Sequence, residues 1–96
     1  MDNIITTQKL ETVTSMEVAE MVNKEHNKLT RDIRRYINQL GDAKIGHSDF
    51  FSEATYLSEQ NKKLPCFNIT RKGCEFIANK LTGQKGTEFT AWYVNR

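Results

Sequence analysis

The chain has 96 residues and a formal net charge of +2, which fits one domain with a modest core. It contains no apolar run near the roughly 20 residues of a membrane-spanning helix. Its N-terminal residues lack the basic start and apolar stretch of a secretory signal, so Cys66 and Cys74 are expected to be reduced in a cytosol.

The positive charge is concentrated in one segment of the chain. Residues 24–40 carry five Lys and Arg against two acids, a net charge of +3. Residues 1–23 carry one Lys against four acids, a net charge of −3. The distribution of charge is therefore more informative than its sum, and it directs attention to the segment over residues 24–40.

The N-terminal residues predict a small β-hairpin followed by a helix. The β-forming runs Ile4–Thr7 and Thr12–Thr14 flank a polar turn over Gln8–Glu11. Thr14 stands three residues before Glu17, which predicts a capping box at the start of the helix. The apolar face of this helix consists of Met16, Val18, Ala19, Met21 and Val22.

A second helix is predicted to follow after a short turn. Asn23 tolerates the left-handed conformation that ends a helix, and the chain resumes helix between Lys24 and Asn27. Gly41 is the predicted stop. At about 100° per residue one side of the helix is apolar and is expected to be buried, with Leu29, Ile33, Ile37 and Leu40. The opposite side is basic, with Lys24, Lys28, Arg31 and Arg35, and with Arg34 at its flank.

Two helices joined by a tight turn, the second of them basic on its free side, predict a helix-turn-helix with a DNA recognition helix. Asn27 and Arg31 have side chains that read base edges through paired hydrogen bonds. Asn27, Lys28, Arg31 and Arg35 are expected to face the groove, and Lys24 and Arg34 to lie nearer phosphates. The alternative is a solvated helix face with no partner. His26 falls on the apolar side near the start of the helix, where a buried, hydrogen-bonded structural histidine is expected in preference to a catalytic one.

The middle of the chain predicts a hairpin after a loop over Asp42–Asp49. Strand-forming residues over Phe50–Ser58 and Leu64–Ile69 flank a polar tip, Glu59–Lys63. Such a hairpin behind a helix-turn-helix is typical of a wing, whose Gln60, Asn61, Lys62 and Lys63 are expected to touch DNA. The alternative is a solvated tip, since lysines there also favour solubility. Pro65 predicts an edge strand or a strand start.

Two helices are predicted at the C-terminal end. Thr70 is the expected N-cap of a helix over Arg71–Leu81, and a last helix is predicted over Lys85–Asn95. Phe76 falls on the far side of the first, as a core contact or as part of a self-association surface. The last helix carries one aromatic stripe, interpreted as core or dimer interface, which consists of Phe89, Trp92 and Tyr93.

Two ordered patterns occur in the helical segment: S-x-E-V-A-E-M over Ser15–Met21 and K-x-H-x-x-L-x-R-D-I-R over Lys24–Arg34. Together they resemble the Rha-type phage regulatory protein family. The resemblance covers about residues 13–95 and continues downstream at Tyr56, Pro65, Thr70-Arg71-x-Gly73, Leu81-Thr82-Gly83-x-Lys85, and Phe89 with Tyr93. It implies a regulator encoded by a phage or prophage and acting in the cytoplasm of a bacterial host.

These patterns predict a single α+β domain over residues 1–96, a winged helix-turn-helix with a small hairpin wing and two C-terminal helices. The expected function is transcriptional regulation by binding double-stranded DNA. The alternative is an antirepressor that contacts a repressor protein, and a homodimer through the C-terminal helices is a further expectation. No enzyme motif is present and no cofactor is expected. Spacings of 21, 19 and 8 are unlike those of zinc sites for the candidate ligands His26, His47, Cys66 and Cys74.

Overall fold

The computed structural model describes residues 11–96, in which four helices and a three-stranded antiparallel sheet form an α+β fold. The elements in chain order are β1 (Thr12–Thr14), α1 (Ser15–Met21), α2 (His26–Asp42), β2 (Phe51–Leu57), β3 (Lys63–Thr70), α3 (Arg71–Ala78) and α4 (Gly83–Val94). The predicted α+β class is therefore confirmed. The predicted N-terminal strand over Ile4–Thr7 lies outside the described residues.

The first helix begins and ends as its sequence predicts. Thr14 Oγ1 accepts the N–H of Glu17 at 3.1 Å, and Glu17 Oε1 accepts the N–H of Thr14 at 2.9 Å, which completes the capping box. Asn23 takes a φ of 57° after the helix, in the left-handed region that Asn tolerates. Lys24 N–H then donates to the carbonyl of Ala19 at 2.9 Å, so the turn into α2 closes tightly on the end of α1.

The apolar side of α2 lies in the core. Leu29, Ile33 and Leu40 are buried there, with Tyr36 beside them and Ile37 half-buried, as the periodicity predicts. The predicted stop at Gly41 is wrong. The helix continues to Asp42, and Lys44 takes the left-handed φ of 60°. Ile45 N–H donates to the Leu40 carbonyl at 2.8 Å, so a Schellman-type closure on a lysine satisfies the last turn.

The sheet has the strand order β1-β3-β2, with β3 in the centre. The prediction that Pro65 marks an edge strand is therefore wrong for the strand as a whole. The physical basis of the prediction still holds, because β1 pairs with Asn68–Thr70 and no strand among residues 11–96 pairs with β3 on that side at Pro65. Thr70 N–H donates to Phe50 O, so even-numbered β3 residues bond toward β2. The nitrogen of Pro65 consequently faces away from β2, so its missing N–H removes no ladder bond between β3 and β2.

The third helix lies against the end of the sheet with no space between them. Thr70 is its N-cap, as predicted: its Oγ1 accepts the N–H of Gly73 at 3.1 Å and donates to the Asp49 carbonyl at 2.6 Å. A Cβ at Gly73 would lie 2.2 Å from Phe50 O and 2.7 Å from Ile69 Cγ2. Only glycine fits at this position, which gives a physical reason for the Thr-Arg-x-Gly pattern. The helix ends at Ala78, before the predicted Leu81.

Aromatic side chains join the C-terminal helices to the rest of the core. The ring of Phe76 lies 5.3 Å from that of Tyr36, 5.7 Å from that of Phe50 and 5.9 Å from that of Phe51. Phe76 is therefore a half-buried core contact, as the first of the two interpretations predicts. In α4, Phe89 and Tyr93 are buried and contact each other.

None of the helices described between residues 11 and 96 is long and apolar enough to cross a membrane.

Candidate nucleic-acid interface

The ten side chains predicted to contact DNA are all exposed. They occupy two places in the fold. Six belong to α2 and the turn before it, namely Lys24, Asn27, Lys28, Arg31, Arg34 and Arg35. Four belong to the tip of the β2–β3 hairpin, namely Gln60, Asn61, Lys62 and Lys63. We refer to the six as the α2 basic face and to residues 58–63 as the hairpin tip.

One buried carboxylate organises half of the α2 basic face. Asp32 is 6 % exposed, and its Oδ2 accepts a hydrogen bond from Lys24 Nζ at 2.9 Å. Its Oδ1 lies 3.2 Å from Arg35 Nη1 and 3.9 Å from Arg31 Nη2. The side chains of Arg31 and Arg35 remain 68 % and 55 % exposed. The carboxylate is thus shielded beneath cations that are themselves open to solvent.

The ionisation of Asp32 follows from these contacts. Burial by itself raises the pKa of a carboxyl group, because it disfavours the charged form. The hydrogen bond from Lys24 and the charges of Lys24, Arg35 and Arg31 outweigh burial, and together they hold the pKa of Asp32 below its ordinary value. Asp32 is therefore charged at neutral pH and attracts all three cations.

Arg34 leaves the helix on a different side and contacts the sheet. Its guanidinium carbon lies 5.8 Å from the centre of the Phe67 ring, within cation–π range. Phe67 is 3 % exposed and belongs to the central strand β3. Arg34 therefore lies between α2 and the hairpin, apart from the cations around Asp32.

A second set of contacts joins the N-terminal end of α2 to the hairpin. Ser15 Oγ lies 2.8 Å from His26 Nε2 and accepts the N–H of Phe67 at 3.0 Å. The His26 ring meets the Tyr56 ring edge to face at 5.7 Å. Tyr56 precedes the last residue of β2, so the start of α2 lies beside the outer part of the hairpin. The predicted hydrogen bond of His26 is confirmed, whereas the ring is half-buried and not fully buried as expected.

Burial and charge keep His26 neutral. Desolvation lowers the pKa of His26 below its ordinary value of 6.5, and the positive charge of Arg34 lowers it further. The Ser15 hydroxyl accepts from the Phe67 N–H in either tautomer of the neutral ring: it donates to Nε2 when Nδ1 carries the proton, and it accepts from Nε2–H otherwise. Both partners of Ser15 are then satisfied.

The hairpin tip is an ordered turn with polar and basic side chains on its outside. Ser58 N–H donates to the Lys62 carbonyl at 2.9 Å, and Ser58 Oγ accepts the N–H groups of Gln60 and Lys62, each at 3.2 Å. Asn61 takes the left-handed φ of 62°. Beside the tip, Leu57 is 63 % exposed. The hydrogen bonds of Ser58 to backbone groups fix the conformation of the turn, so the outward side chains are exposed to solvent.

Asp32 and Ser15 organise the interface, and the sequence patterns identify neither of them in that role. In the charge distribution Asp32 is only an acid that reduces the positive charge of the helix. Its position is a usable signal, because at about 100° per residue it falls beside Leu29 and Tyr36 on the buried side. Ser15 carries no signal in sequence, since its two partners, His26 and Phe67, are distant in the chain.

The cysteines show no sign of reactivity. Cys66 and Cys74 are free and buried, and burial raises the pKa of both thiols, that of Cys74 to about 11 despite the nearby charges of Arg96 and Arg71. Such thiols keep their proton at neutral pH, which suits packing. Within the part of the chain that the structure describes, no three His, Cys, Asp or Glu side chains are grouped so that they could hold a metal ion.

Comparison with known proteins agrees with the resemblance noted in the sequence. The class is that of phage regulatory proteins, because residues 13–96 match the family model described as phage regulatory protein Rha. The chain belongs to this Rha family. It is 49 % identical over 84 residues to the "SPbeta prophage-derived putative antirepressor protein YoqD" of Bacillus subtilis (strain 168). The match covers 88 % of the chain and 34 % of that relative, so the chain spans about a third of its length. No solved structure matches the chain.

Proposed function

We propose that this phage regulator binds double-stranded DNA, with α1 and α2 as a helix-turn-helix, α2 as the recognition helix, and the β2–β3 hairpin as a wing. One observation carries the proposal: α2 is anchored by a buried apolar side and presents its basic face to solvent. Ile33 is fully buried while Arg31, two residues earlier, has a side chain that is 68 % exposed. A recognition helix needs both properties, since one side must be held by the domain and the other must enter a groove.

The geometry of the turn supports this assignment. α1 is seven residues long and α2 begins five residues after α1 ends. Val18, Ala19 and Val22 are buried, which fixes α1 against the core beside the start of α2. The N-terminal residues of a recognition helix contact base edges, and here those residues include Asn27 and Arg31. Asn pairs with adenine and Arg with guanine through two hydrogen bonds each.

The remaining cations have separate roles in this proposal. Lys28 and Arg35 lie on the exposed side of α2 and approach phosphates or bases at the groove edge. Arg34, seated on Phe67, approaches a phosphate between the helix and the hairpin. Because His26 contacts Tyr56, the start of α2 and the outer part of the hairpin lie on one side of the domain. Asn61, Lys62 and Lys63 then follow the DNA backbone beside the groove.

The test is duplex binding measured by fluorescence anisotropy at several salt concentrations. Release of condensed counterions gives a slope of about −0.9 in log affinity against log salt for each phosphate neutralised, so four to six contacts predict roughly −3 to −5. Lys28→Gln with Arg31→Gln is expected to weaken binding and to make the slope shallower. Lys72→Gln with Lys85→Gln removes the same charge from exposed positions on α3 and α4, and this control is expected to keep nearly full affinity.

Neutral substitutions are preferable to charge reversal for a structural reason. Glu at positions 31 and 35 would place two further carboxylates against the buried Asp32, which at the same time loses two of its three cationic partners. A loss of binding would then reflect damage to the fold. A wild-type chain that binds no duplex more tightly than about 10⁻⁴ M, the background of a basic protein, would refute the proposal.

A second candidate function is antirepression by contact with a repressor protein. The observation that favours it is the name of the Bacillus subtilis relative, which describes an antirepressor. This function predicts that a repressor binds the chain after nuclease treatment. It also predicts that Lys28→Gln with Arg31→Gln leaves this binding intact, whereas an altered apolar surface removes it. Val94 on α4 is 47 % exposed, so Val94→Asp tests that surface with little effect on the core.

A further inference from the structure

We infer that Asp32 is a positioning residue, which holds Arg31 and Arg35 in the orientation that reads a DNA sequence. The inference rests on the proposed function and concerns its specificity. Asp32 is buried and cannot itself reach DNA, yet it contacts two of the arginines on the α2 basic face. The consequence is that Asp32 lowers affinity for DNA of any sequence while it raises discrimination between sequences.

Asp32 restricts the side chains of Arg31 and Arg35 through its contacts with them. An arginine side chain has several rotatable bonds, and its freedom on a helix surface must be lost before it can make a bidentate contact with a base. Oδ1 of Asp32 is shared by Arg35, at 3.2 Å, and Arg31, at 3.9 Å. Lys24 occupies Oδ2 at 2.9 Å, which fixes the orientation of the carboxylate itself. Part of the ordering cost of the arginines is therefore met before DNA binds.

The negative charge of Asp32 also affects how strongly the α2 basic face attracts DNA. One negative charge beneath three cations reduces the attraction of the α2 basic face for phosphates, which are the main source of affinity for DNA of any sequence. Contacts with base edges depend on the placement of the guanidinium group, and phosphate contacts depend mainly on charge. Loss of Asp32 is therefore expected to affect the two kinds of contact in opposite directions. A residue with a merely structural role would not produce this opposition.

The probes are a duplex selected from a random pool by the wild-type chain and a shuffled duplex of the same composition. Their affinity ratio measures discrimination. Asp32→Asn is expected to bind the shuffled duplex more tightly, with a salt slope steeper by about 0.9 for each additional phosphate that the variant neutralises. Discrimination is expected to fall about 10-fold, within the range that one misplaced bidentate contact produces.

Asp42→Asn is the matched control. Asp42 is the last residue of α2 and is exposed, so the substitution removes the same charge from the same helix without touching Arg31 or Arg35. Its affinity ratio is expected to equal that of the wild type. An equal ratio for Asp32→Asn and Asp42→Asn would overturn the inference.

A second variant covers the case in which Asp32→Asn does not fold, which thermal melting reveals. Asp32→Glu keeps the charge but moves the carboxylate by one methylene group. It is expected to keep the wild-type salt slope and to lose discrimination, whereas full discrimination in a folded Asp32→Glu chain would overturn the inference. In a chain that already carries Arg31→Ala and Arg35→Ala, Asp32→Asn is expected to change discrimination no further, and an undiminished effect there would contradict action through the arginines. Failure of the wild type to bind any duplex would instead overturn the proposed function.

Discussion

Ser15 Oγ and His26 Nε2 lie 2.8 Å apart and join the first residue of α1 to the first residue of α2. The same oxygen accepts the N–H of Phe67 at 3.0 Å. β1 pairs with β3 in the register Thr14 to Asn68, so the next pair along would be Ser15 with Phe67. At that point the chain turns into a helix. The side-chain hydroxyl of Ser15 therefore takes the place of a backbone acceptor in the ladder.

We predict that Ser15→Ala destabilises the domain by about 1–3 kcal/mol, because the buried N–H of Phe67 is left without an acceptor. His26 loses its partner in the same variant. Urea denaturation measures the change in the free energy of unfolding. Ser52→Ala, at an exposed position on β2, is the control and is expected to stay within about 0.5 kcal/mol of the wild type. Equal stability of the two variants would show that another group satisfies Phe67.

The lowered pKa of His26 predicts a pH-dependent stability. Folding favours the neutral ring, so the unfolded chain takes up a proton first as the pH falls below its value of 6.5. The stabilisation from neutral His26 is thus fully present above pH 6.5 and is lost progressively as the pH falls from there through the lower folded pKa. Denaturation curves between pH 8 and pH 5, about half a unit apart, measure this. His26→Gln is expected to flatten the decline of the unfolding free energy with falling pH. His47→Gln leaves His26 in place, so the decline is expected to remain.

Two glycines are predicted to respond to alanine in opposite directions. Gly73→Ala would place a Cβ 2.2 Å from the Phe50 backbone oxygen, so α3 must move away from the sheet at a cost of at least about 1–3 kcal/mol. Gly41→Ala meets nothing within 4 Å inside α2, and it is expected to stabilise the domain by roughly 0.5–1 kcal/mol through helix propensity. Thermal melting of both variants tests the prediction. A Gly73→Ala chain as stable as the wild type would mean that α3 can shift from the sheet at no cost.

The sequence predicts the helices and strands of this fold better than it predicts which strands pair with each other. Helix periodicity identifies the buried side of α2, and the local pairing of Thr14 with Glu17 identifies the start of α1, because both signals lie within a few residues. Strand propensity predicts that Thr12–Thr14 pairs with the residues before it. Among the described residues the strand pairs with β3, more than 50 residues away, and propensity cannot reveal this pairing.

The same difference between local and long-range information applies to the candidate site. Periodicity predicts that the cations of α2 are exposed, since they lie on the side of the helix opposite its buried apolar residues. The arrangement of those cations does not follow, because it depends on which side chains reach Asp32 in three dimensions. The end of α2 also depends on context: Gly41 has the better intrinsic propensity for a stop, yet the chain closes the helix at Lys44.

The assignment of the buried side of α2 gives a prediction of its own. Ile33→Ala removes a fully buried branched side chain and is expected to cost about 2–5 kcal/mol, a large share of the stability of a small domain. Ile45→Ala makes the same change at a position that is 49 % exposed, and it is expected to have little effect. Chemical denaturation of both variants compares them directly. Similar losses in the two would contradict the assigned orientation of the helix.

The last prediction distinguishes base reading from phosphate binding within the proposed interface. Arg31→Ala is expected to weaken binding to a selected duplex by about 1–3 kcal/mol, the value of a bidentate base contact. The fold should survive, because Lys24 and Arg35 still neutralise Asp32 at 2.9 Å and 3.2 Å.

Lys62→Ala at the hairpin tip removes a screened phosphate contact. Its effect is expected to be smaller, equal for selected and shuffled duplexes, and accompanied by a salt slope shallower by about 1. Anisotropy with both duplexes at several salt concentrations separates the two variants. If Arg31→Ala lost the same affinity as Lys62→Ala on both duplexes and at every salt concentration, Arg31 would bind backbone only, and sequence reading would have to come from another residue of α2.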